Sequence, residues 1–288
     1  MVLSKIIPNV MSLTVGNSKV VHSFTPEVHL NRLKGRVAFE SQSIEGMYEY
    51  EKLLNLNRAL EPNNVYLDMD EAWLLMGKIW FGMSNNAEQD INKAYELTLN
   101  TVRADPDFAY ATNLASMIER NYIGKLDKAC TRLEKLIETS NDPSNKASAA
   151  NLARHCKQYE IALNLYKNIY KSAPHFSLWF KKDYAWTFLI SNFDDQSYGY
   201  EDAKLYIESQ LAANYSEPGI NEMWLSLLAY ISSKEGDIAT AKRYIKRQAD
   251  LDNPIEISWE KSYPNILNEN LPFKKDFFET LNSLGINL

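Results

Sequence analysis

The stretch Trp73-Leu74-Leu75-Met76-Gly77-Lys78-Ile79-Trp80 decides the fold that this sequence predicts. In it an aromatic residue, a large apolar residue, a glycine and a second aromatic residue follow one another at spacings of 3, 1 and 3 residues. A glycine inside a helix costs about 1 kcal/mol relative to alanine, so Gly77 needs a packing reason. We interpret the stretch as the first helix (A) of an antiparallel pair, in which the missing side chain lets the second helix (B) approach closely.

A small residue recurs at nearly even intervals along the chain. The alanines at these intervals are Ala94, Ala129, Ala162, Ala203 and Ala241, which are 35, 33, 41 and 38 residues apart. Each lies in an amphipathic helical stretch, and a proline follows 12 residues after Ala94 and after Ala162. Because proline cannot continue a helix, it marks the end of helix B. The intervals predict about six helix pairs, at approximately 26–64, 68–108, 109–142, 144–175, 176–216 and 219–252.

This pattern resembles the tetratricopeptide repeat (TPR) family, whose unit is a helix–turn–helix of 34 residues. The resemblance implies an all-α fold, a right-handed α-solenoid of about six TPR helix pairs with a C-terminal capping helix. The expected organisation is an N-terminal lead-in segment over 1–25, the TPR array over 26–252 and a C-terminal cap over 253–288. The fifth pair departs from the pattern, since it lacks a closing proline and has an insertion from Ser191 to Tyr198.

Three further segments narrow the resemblance. They are Leu30–Phe39 in the first unit, Phe81–Asn86 before helix B of the second, and a C-terminal tail that includes Phe277–Ile286. Together they are similar to the C-terminal TPR region of bacterial class III adenylate/guanylate cyclase-like proteins, and related arrays occur in winged-helix transcriptional regulators. The resemblance implies an excised regulatory region, or a gene that encodes only that region. Any cyclase activity would then lie in a domain absent from this chain.

Composition and charge exclude other classes of protein. The chain has 10 Gly in 288 residues, about half the usual share of about 7%, which disfavours an all-β fold and a glycine-rich nucleotide-binding fold. Its 31 basic and 37 acidic residues give a net charge of −6, which argues against binding to nucleic acid. No stretch of 18 apolar residues is present and 1–21 lacks the pattern of a signal peptide, so we expect no membrane span and a cytoplasmic location.

The two cysteines, Cys130 and Cys156, are too few for a disulfide framework. We expect them to be two small core residues of a protein in a reducing compartment. Cys156 follows His155, but adjacent helical residues point about 100° apart, so the two make a poor zinc pair.

No sequence motif for catalysis, a metal or a cofactor is present. The chain lacks phosphate-binding loops, a zinc-protease motif and a nucleophile elbow. The histidines are scattered, at His22, His29, His155 and His175. We interpret Asp68, Asp70 and Glu71 as acidic residues at the start of a helix A, where they complement its dipole. Asp194-Asp195 is expected to lie in a solvated loop. No enzymatic activity and no cofactor are therefore expected.

What remains is the concave groove that stacked A helices form. Five residues are predicted to point into it: Lys78, Phe81, Asn151, Arg154 and Tyr230. Asparagine can donate to and accept from a peptide backbone, and Arg or Lys can hold a carboxylate. The leading hypothesis is a protein-interaction module that binds a peptide or partner helix in the groove. Two alternatives stay open, a small-ligand sensor lined by Trp179 and Trp186, and an oligomerisation scaffold that forms a homodimer.

Overall fold

A computed structural model describes residues 24–41, 43–140, 142–173, 178–195, 199–213, 220–251 and 270–286. Within these ranges all regular secondary structure is α-helical, which confirms the all-α class. The chain divides into two compact units, Met1–Pro174 and His175–Leu288.

The helices of the first unit are α1 Pro26–Glu40, α2 Ile44–Leu60, α3 Val65–Trp80, α4 Ala87–Ala104, α5 Ala109–Asn121, α6 Leu126–Cys130, α7 Leu133–Thr139, α8 Pro143–His155 and α9 Tyr159–Ser172. Those of the second are α10 Leu178–Asp194, α11 Glu201–Ala212, α12 Ile220–Lys234, α13 Ile238–Ala249 and α14 Leu271–Ser283.

In the first unit, successive helices pack against each other as hairpins. The closest partners are α1 with α2, α3 with α4, α5 with α6 and α7, and α8 with α9. Each hairpin also contacts the next one, through α2 with α3, α4 with α5, and α7 with α8. In addition α5 packs against α8, so first helices of neighbouring hairpins meet directly.

Side-chain caps fix where several of these helices begin. The side chains of Ser43, Asn64, Asn86 and Asp142 each accept a hydrogen bond from a backbone N–H in the first turn of the helix that follows. Each cap satisfies a donor that would otherwise lack a partner at the helix N-terminus. Pro143 occupies the first helical turn of α8, where its missing N–H costs nothing.

Small residues lie where the hairpins close most tightly. All five evenly spaced alanines are fully buried, and each lies in the second helix of a hairpin. A Cβ on Gly77 would come within 2.8 Å of the Met47 sulfur and of the Phe39 ring. A Cβ on Gly35 would come within 2.7 Å of the Tyr50 ring. Gly77 therefore has a packing reason, but not the predicted one, because it admits Phe39 of α1 and Met47 of α2 in the preceding hairpin rather than α4, the second helix of its own hairpin.

The third hairpin differs from the others because its second helix is divided into α6 and α7. A disulfide joins Cys130, the last residue of α6, to Cys156, the residue that caps α8. The expectation of two separate core thiols is therefore wrong. Sequence separation hid the pairing, since the fold brings two positions that are 26 residues apart in the chain to a Cα–Cα distance of 5.8 Å.

In the second unit α12 is the central helix. It packs against α11, α13 and α14, and its residues from Glu222 to Ser232 are all buried. The C-terminal helix α14 covers it through Phe273 and Phe277, whose rings lie 5.8 Å and 5.1 Å from that of Tyr230. Within the described residues, the helices are too short or too polar for any of them to cross a membrane.

Several expectations fall on residues outside the described ranges. These are nearly all of the lead-in segment 1–25, most of the cap 253–288, His22, His175 and the side chain of Trp179. The predicted insertion from Ser191 to Tyr198 is described only in part, and its first four residues are the last turn of α10 rather than a loop.

The close contact at Gly35 can be tested by adding one methyl group. We expect Gly35→Ala to lower the free energy of unfolding by about 1–3 kcal/mol, the usual cost of overpacking, although alanine is the better helix former. The Tyr50 ring cannot move aside easily, because it is buried and its hydroxyl donates to the backbone carbonyl of Asp70 at 3.1 Å. The measurement is the midpoint of urea denaturation.

The matched control for this substitution is Asn55→Ala, on the exposed side of α2. It adds alanine to a helix without a packing conflict, so it should change stability by less than about 0.5 kcal/mol. A Gly35→Ala variant as stable as the wild type would mean that the two helices are not in close contact at this position.

Candidate functional site

The first helices of the four hairpins in the first unit, α1, α3, α5 and α8, contact one another in order through their side chains. We call the surface they form the A-helix face. The contacts that link it are Arg32 with Asp70, Arg36 with Trp73 and Tyr110, Trp80 with Tyr122, Asn113 with Ser148, and Arg120 with Asn151. The face is therefore continuous from α1 to α8.

At one end of the A-helix face a guanidinium group lies among aromatic rings. The Arg36 Cζ is 5.4 Å from the ring centroid of Phe39, 5.5 Å from that of Trp73 and 4.9 Å from that of Tyr110. Trp73 and Tyr110 are stacked, with ring centroids 5.2 Å apart. These distances are within the range of favourable cation–π contacts. The result is a platform of rings around one cation, built from three different helices.

Trp80 extends this platform toward solvent. Its ring lies 6.0 Å from Trp73 and 6.4 Å from Phe39. Its indole N–H donates to the Tyr122 hydroxyl at 2.6 Å. Even so, 44% of Trp80 is exposed. A large ring that is held in place and still open to solvent can contact a partner at little cost in side-chain entropy.

Ion pairs lie beneath this surface. Arg32 donates two hydrogen bonds to the Asp70 carboxylate, and the Arg32 guanidinium is 4.1 Å from the Phe24 ring centroid. Burial would lower the pKa of Arg32, but the adjacent Asp70 carboxylate outweighs it and the pKa is raised. Burial, with Asp70 nearby, raises the pKa of Tyr50 well above its usual value, so this phenol stays neutral. Asp70 therefore joins α3 to α1.

The interpretation of the acidic group as residues that cap a helix and complement its dipole holds for Asp68 as regards the dipole, since Asp68 lies in the first turn of α3, but it needs correction for the cap and for the partners of the group. Asn64, not an acidic residue, caps α3. Asp68 and Glu71 both pair with Arg58 of α2, and Glu71 also pairs with Lys93 of α4. Their positions within α3 point them toward neighbouring helices, so their role is to tie the hairpins together.

Of the five predicted groove residues, Asn151 lies on the A-helix face through a contact between A helices. Its side-chain oxygen accepts a hydrogen bond from Arg120 of α5 at 2.6 Å. Lys78 instead pairs with Glu51 of α2, the second helix of the preceding hairpin. Phe81 follows the last residue of α3 and is half-buried. The structure therefore does not bring these three together at one site.

The other two predicted residues are buried. Arg154 is 2% exposed and Tyr230 is 0% exposed. Tyr230 belongs to the second unit, where Phe273 and Phe277 of α14 cover its ring and its hydroxyl donates to Asp276 at 2.8 Å. Burial raises the pKa of Tyr230 far above its usual value. Neither side chain is accessible to a partner in this structure, and at Tyr230 helix α14 already occupies the position that the groove would need.

Trp186, the described member of the alternative ligand pocket, is also fully buried. Its ring contacts Phe273 and Phe277 at centroid distances of 6.1 Å and 5.3 Å. In the described part of the chain, the structure gathers no group of three or more His, Cys, Asp or Glu side chains that could hold a metal ion.

Reasoning from the sequence missed Arg36, Tyr110 and Tyr122 as surface residues. The signal that could have found Arg36 and Tyr110 is spacing, because each lies about one hairpin away from Trp73 in the chain, at 37 residues on either side. Equivalent positions of successive A helices lie side by side in a stack of hairpins. Applying the repeat interval of 37 residues to Trp73 predicts that Arg36, Trp73 and Tyr110 lie together.

A buried carboxylate holds the third hairpin together. Glu119 of α5 is 0% exposed and accepts hydrogen bonds from Arg132, at 2.9 and 3.0 Å, and from the Tyr95 hydroxyl at 2.6 Å. Lys128 lies 3.2 Å from the same carboxylate. Burial would raise the pKa of Glu119, but the hydrogen bonds from Arg132 and Tyr95 outweigh it and lower the pKa.

A comparison of the chain with protein-family models and with curated proteins finds no match to either. The A-helix face combines one exposed aromatic ring, that of Trp80, a cation held by rings that are buried or half-buried, and amide groups farther along at Asn113 and Asn151.

The Glu119 cluster predicts how stability depends on pH. Because the pKa of Glu119 is lowered in the folded state, its contribution is present above its unfolded pKa and is lost as the pH falls through its folded pKa. We expect Glu119→Gln to cost about 1–3 kcal/mol at pH 7, since it removes the buried carboxylate that accepts from the half-buried Arg132 and from Tyr95. The difference from the wild type should shrink below about pH 4.5.

The measurement is urea denaturation of both proteins between pH 7 and pH 3. Glu49→Gln is the matched control, because Glu49 makes the same kind of contact with Lys52 at an exposed site, worth less than about 1 kcal/mol. A Glu119→Gln cost that stayed constant across this pH range would contradict the charge-based explanation.

Proposed function

We propose that this chain is a non-enzymatic protein-interaction module that binds a peptide or partner helix on the A-helix face. The observation that supports this most directly is the platform around Arg36, with Trp80 held beside it and 44% exposed. Trp, Tyr and Arg are the residue types that contribute most of the binding energy at protein interfaces. On this face all three occur together, on helices that hold one another rigid.

The same helices support the TPR assignment. In the proposal the chain is a right-handed solenoid of about six TPR pairs, and the first unit contributes four hairpins to it. What favours this is the order of contacts, since each hairpin packs on the next and α5 packs on α8. The buried alanines in the second helices, at intervals of 33 to 41 residues, are the small positions that such stacking requires.

A peptide suits this face better than a small molecule does. The contacts between A helices run from Arg32 on α1 to Asn151 on α8, so the face crosses four hairpins. Rings at the α1–α5 end can receive apolar side chains. Amide groups at the α5–α8 end, Asn113 and Asn151, can hydrogen-bond to a peptide backbone. A single small ligand would use only part of this length.

The biological setting follows from the sequence resemblance. We propose that the module is the regulatory or sensory region of a bacterial cyclase-like or winged-helix protein, because Leu30–Phe39, Phe81–Asn86 and the tail are similar to segments of such arrays. The test is the gene and its neighbours. A cyclase or winged-helix domain encoded in the same reading frame or directly beside it would support the setting, and unrelated neighbours would count against it.

Peptide binding can be tested without knowing the natural partner. A random-peptide display library is selected against the full chain, and the enriched peptides are synthesised and titrated by fluorescence anisotropy. We expect Trp80→Ala to weaken their binding at least about tenfold, the effect of removing one aromatic anchor. Circular dichroism checks that the variant remains folded.

Tyr48→Ala provides the matched control. Tyr48 is an aromatic residue that is 61% exposed, but it lies on α2, a second helix, and not on the A-helix face. Its removal should leave the affinity unchanged. Enriched peptides that bind Trp80→Ala as tightly as the wild type, or that lose affinity only for Tyr48→Ala, would place binding elsewhere and contradict the proposal.

A further inference from the structure

The third hairpin has a second helix in two pieces. Helix α6 ends at Cys130 and α7 begins at Leu133, so Thr131 and Arg132 interrupt what would be one helix. The other second helices of this unit, α2, α4 and α9, continue over 17, 18 and 14 residues. The interruption is therefore particular to the hairpin that contains the disulfide.

The local sequence does not explain the interruption. The segment from Leu126 to Thr139 contains neither proline nor glycine and is rich in Leu, Lys and Glu, which favour helix. Thr131 and Arg132 keep backbone angles close to those of a helix, with φ and ψ of −64° and −15° and of −90° and −9°. A small change in these angles would join α6 and α7. Sharp changes in a helix have identifiable causes, and here the cause lies in contacts with other helices.

Two sets of contacts hold this segment, and they pull on opposite sides of it. Lys128 and Arg132 both reach Glu119 of α5. They are four residues apart, so a continuous helix would present both on one side and would keep these contacts. Cys130 lies two residues from each and so points about 200° away from Lys128. Its bond to Cys156 ties that opposite side to the end of α8.

We propose that the Cys130–Cys156 disulfide keeps α6 and α7 apart, and that its reduction lets Leu126–Thr139 form one continuous helix. A dithiol reductant transfers two electrons and two protons to the pair. The S–S bond breaks, the two cysteines become thiols, and the reductant is converted to its own disulfide. Reoxidation reverses each change. Both cysteines are half-buried rather than fully buried, so a reductant can reach them.

This switch does not depend on the A-helix face binding a peptide. It concerns the fold of the third hairpin and the position of α8, whose last residue His155 directly precedes the bonded Cys156. It also makes the expectation of a cytoplasmic location testable, because disulfides persist in oxidising compartments and are rare in the cytosol.

Hydrogen exchange distinguishes a switch from a disulfide that only stabilises. In the oxidised structure α7 begins anew at Leu133, with no side-chain cap from Arg132, so its first amides lack the partners of a continuous helix. After reduction by dithiothreitol, we expect the amides of Leu133, Glu134 and Lys135 to exchange about tenfold more slowly. The melting temperature should meanwhile fall by roughly 5–10 °C, because the cross-link is lost.

The experiment uses the full chain equilibrated with oxidised glutathione and then compared with and without dithiothreitol by mass spectrometry. The double variant Cys130→Ser/Cys156→Ser should show the slow exchange in both conditions. Unchanged or faster exchange at Leu133–Lys135 after reduction of the wild type would overturn the proposal. So would alkylation of both cysteines by iodoacetamide in the oxidised sample, since no disulfide would then have formed.

One other contact could bend the segment. The Thr131 hydroxyl donates to the backbone carbonyl of Lys128 at 2.8 Å, and bonds of this kind can distort helices. Thr131→Ala removes the bond and leaves both cysteines in place. In the oxidised protein it should keep the fast exchange at Leu133. If the oxidised Thr131→Ala variant instead gains slow exchange, the threonine is the cause and the disulfide proposal is wrong.

Discussion

Close approach between neighbouring helices, within a hairpin at Gly35 and between hairpins at Gly77, is the constraint on which the rest of this structure depends. At Gly35 and Gly77 there is no room for a Cβ, and the alanines of the second helices are fully buried. Because the helix axes lie close together at these points, side chains of one hairpin can reach the next hairpin. The ion pairs of Arg32 with Asp70 and of Arg58 with Asp68 span this short separation. Without the small residues, the hairpins would be too far apart for one continuous surface.

The functional surface follows from the same constraint. When successive hairpins lie at a constant interval, equivalent positions of their first helices become neighbours. Arg36, Trp73 and Tyr110 are such positions, and their stacking is a consequence of the interval as much as of their chemistry. Polar residues that tie the hairpins together, such as Asp70 and Glu119, are thereby withdrawn from the surface. Aromatic rings remain as its most exposed large groups near α3, where Trp80 lies.

The parts of the structure that sequence predicts well are those fixed by local periodicity. The helical class and the burial of Ala94 and its counterparts depend on spacing within about 40 residues. The need for a small residue at Gly77 was also predicted, but its partners, Phe39 and Met47 of the preceding hairpin, were not. Contacts set by three-dimensional packing were not predicted. Tyr230 has the position of a groove residue, but α14, more than 40 residues later, covers it. Helical periodicity does not tell which helices pack together. It therefore could not predict the Cys130–Cys156 bond or the partners of Asp68 and Glu71.

The cluster around Arg36 also bears on how the first unit unfolds. In a stack of hairpins each repeat touches only its neighbours, so the ends can open one repeat at a time. Arg36 on α1 contacts Tyr110 on α5, two hairpins away, so this contact is an exception to that rule. Opening the first hairpin alone breaks contacts in the second and third. The first three hairpins should therefore melt as one cooperative block, and the terminal repeat is protected from fraying by the same rings that form the proposed binding surface.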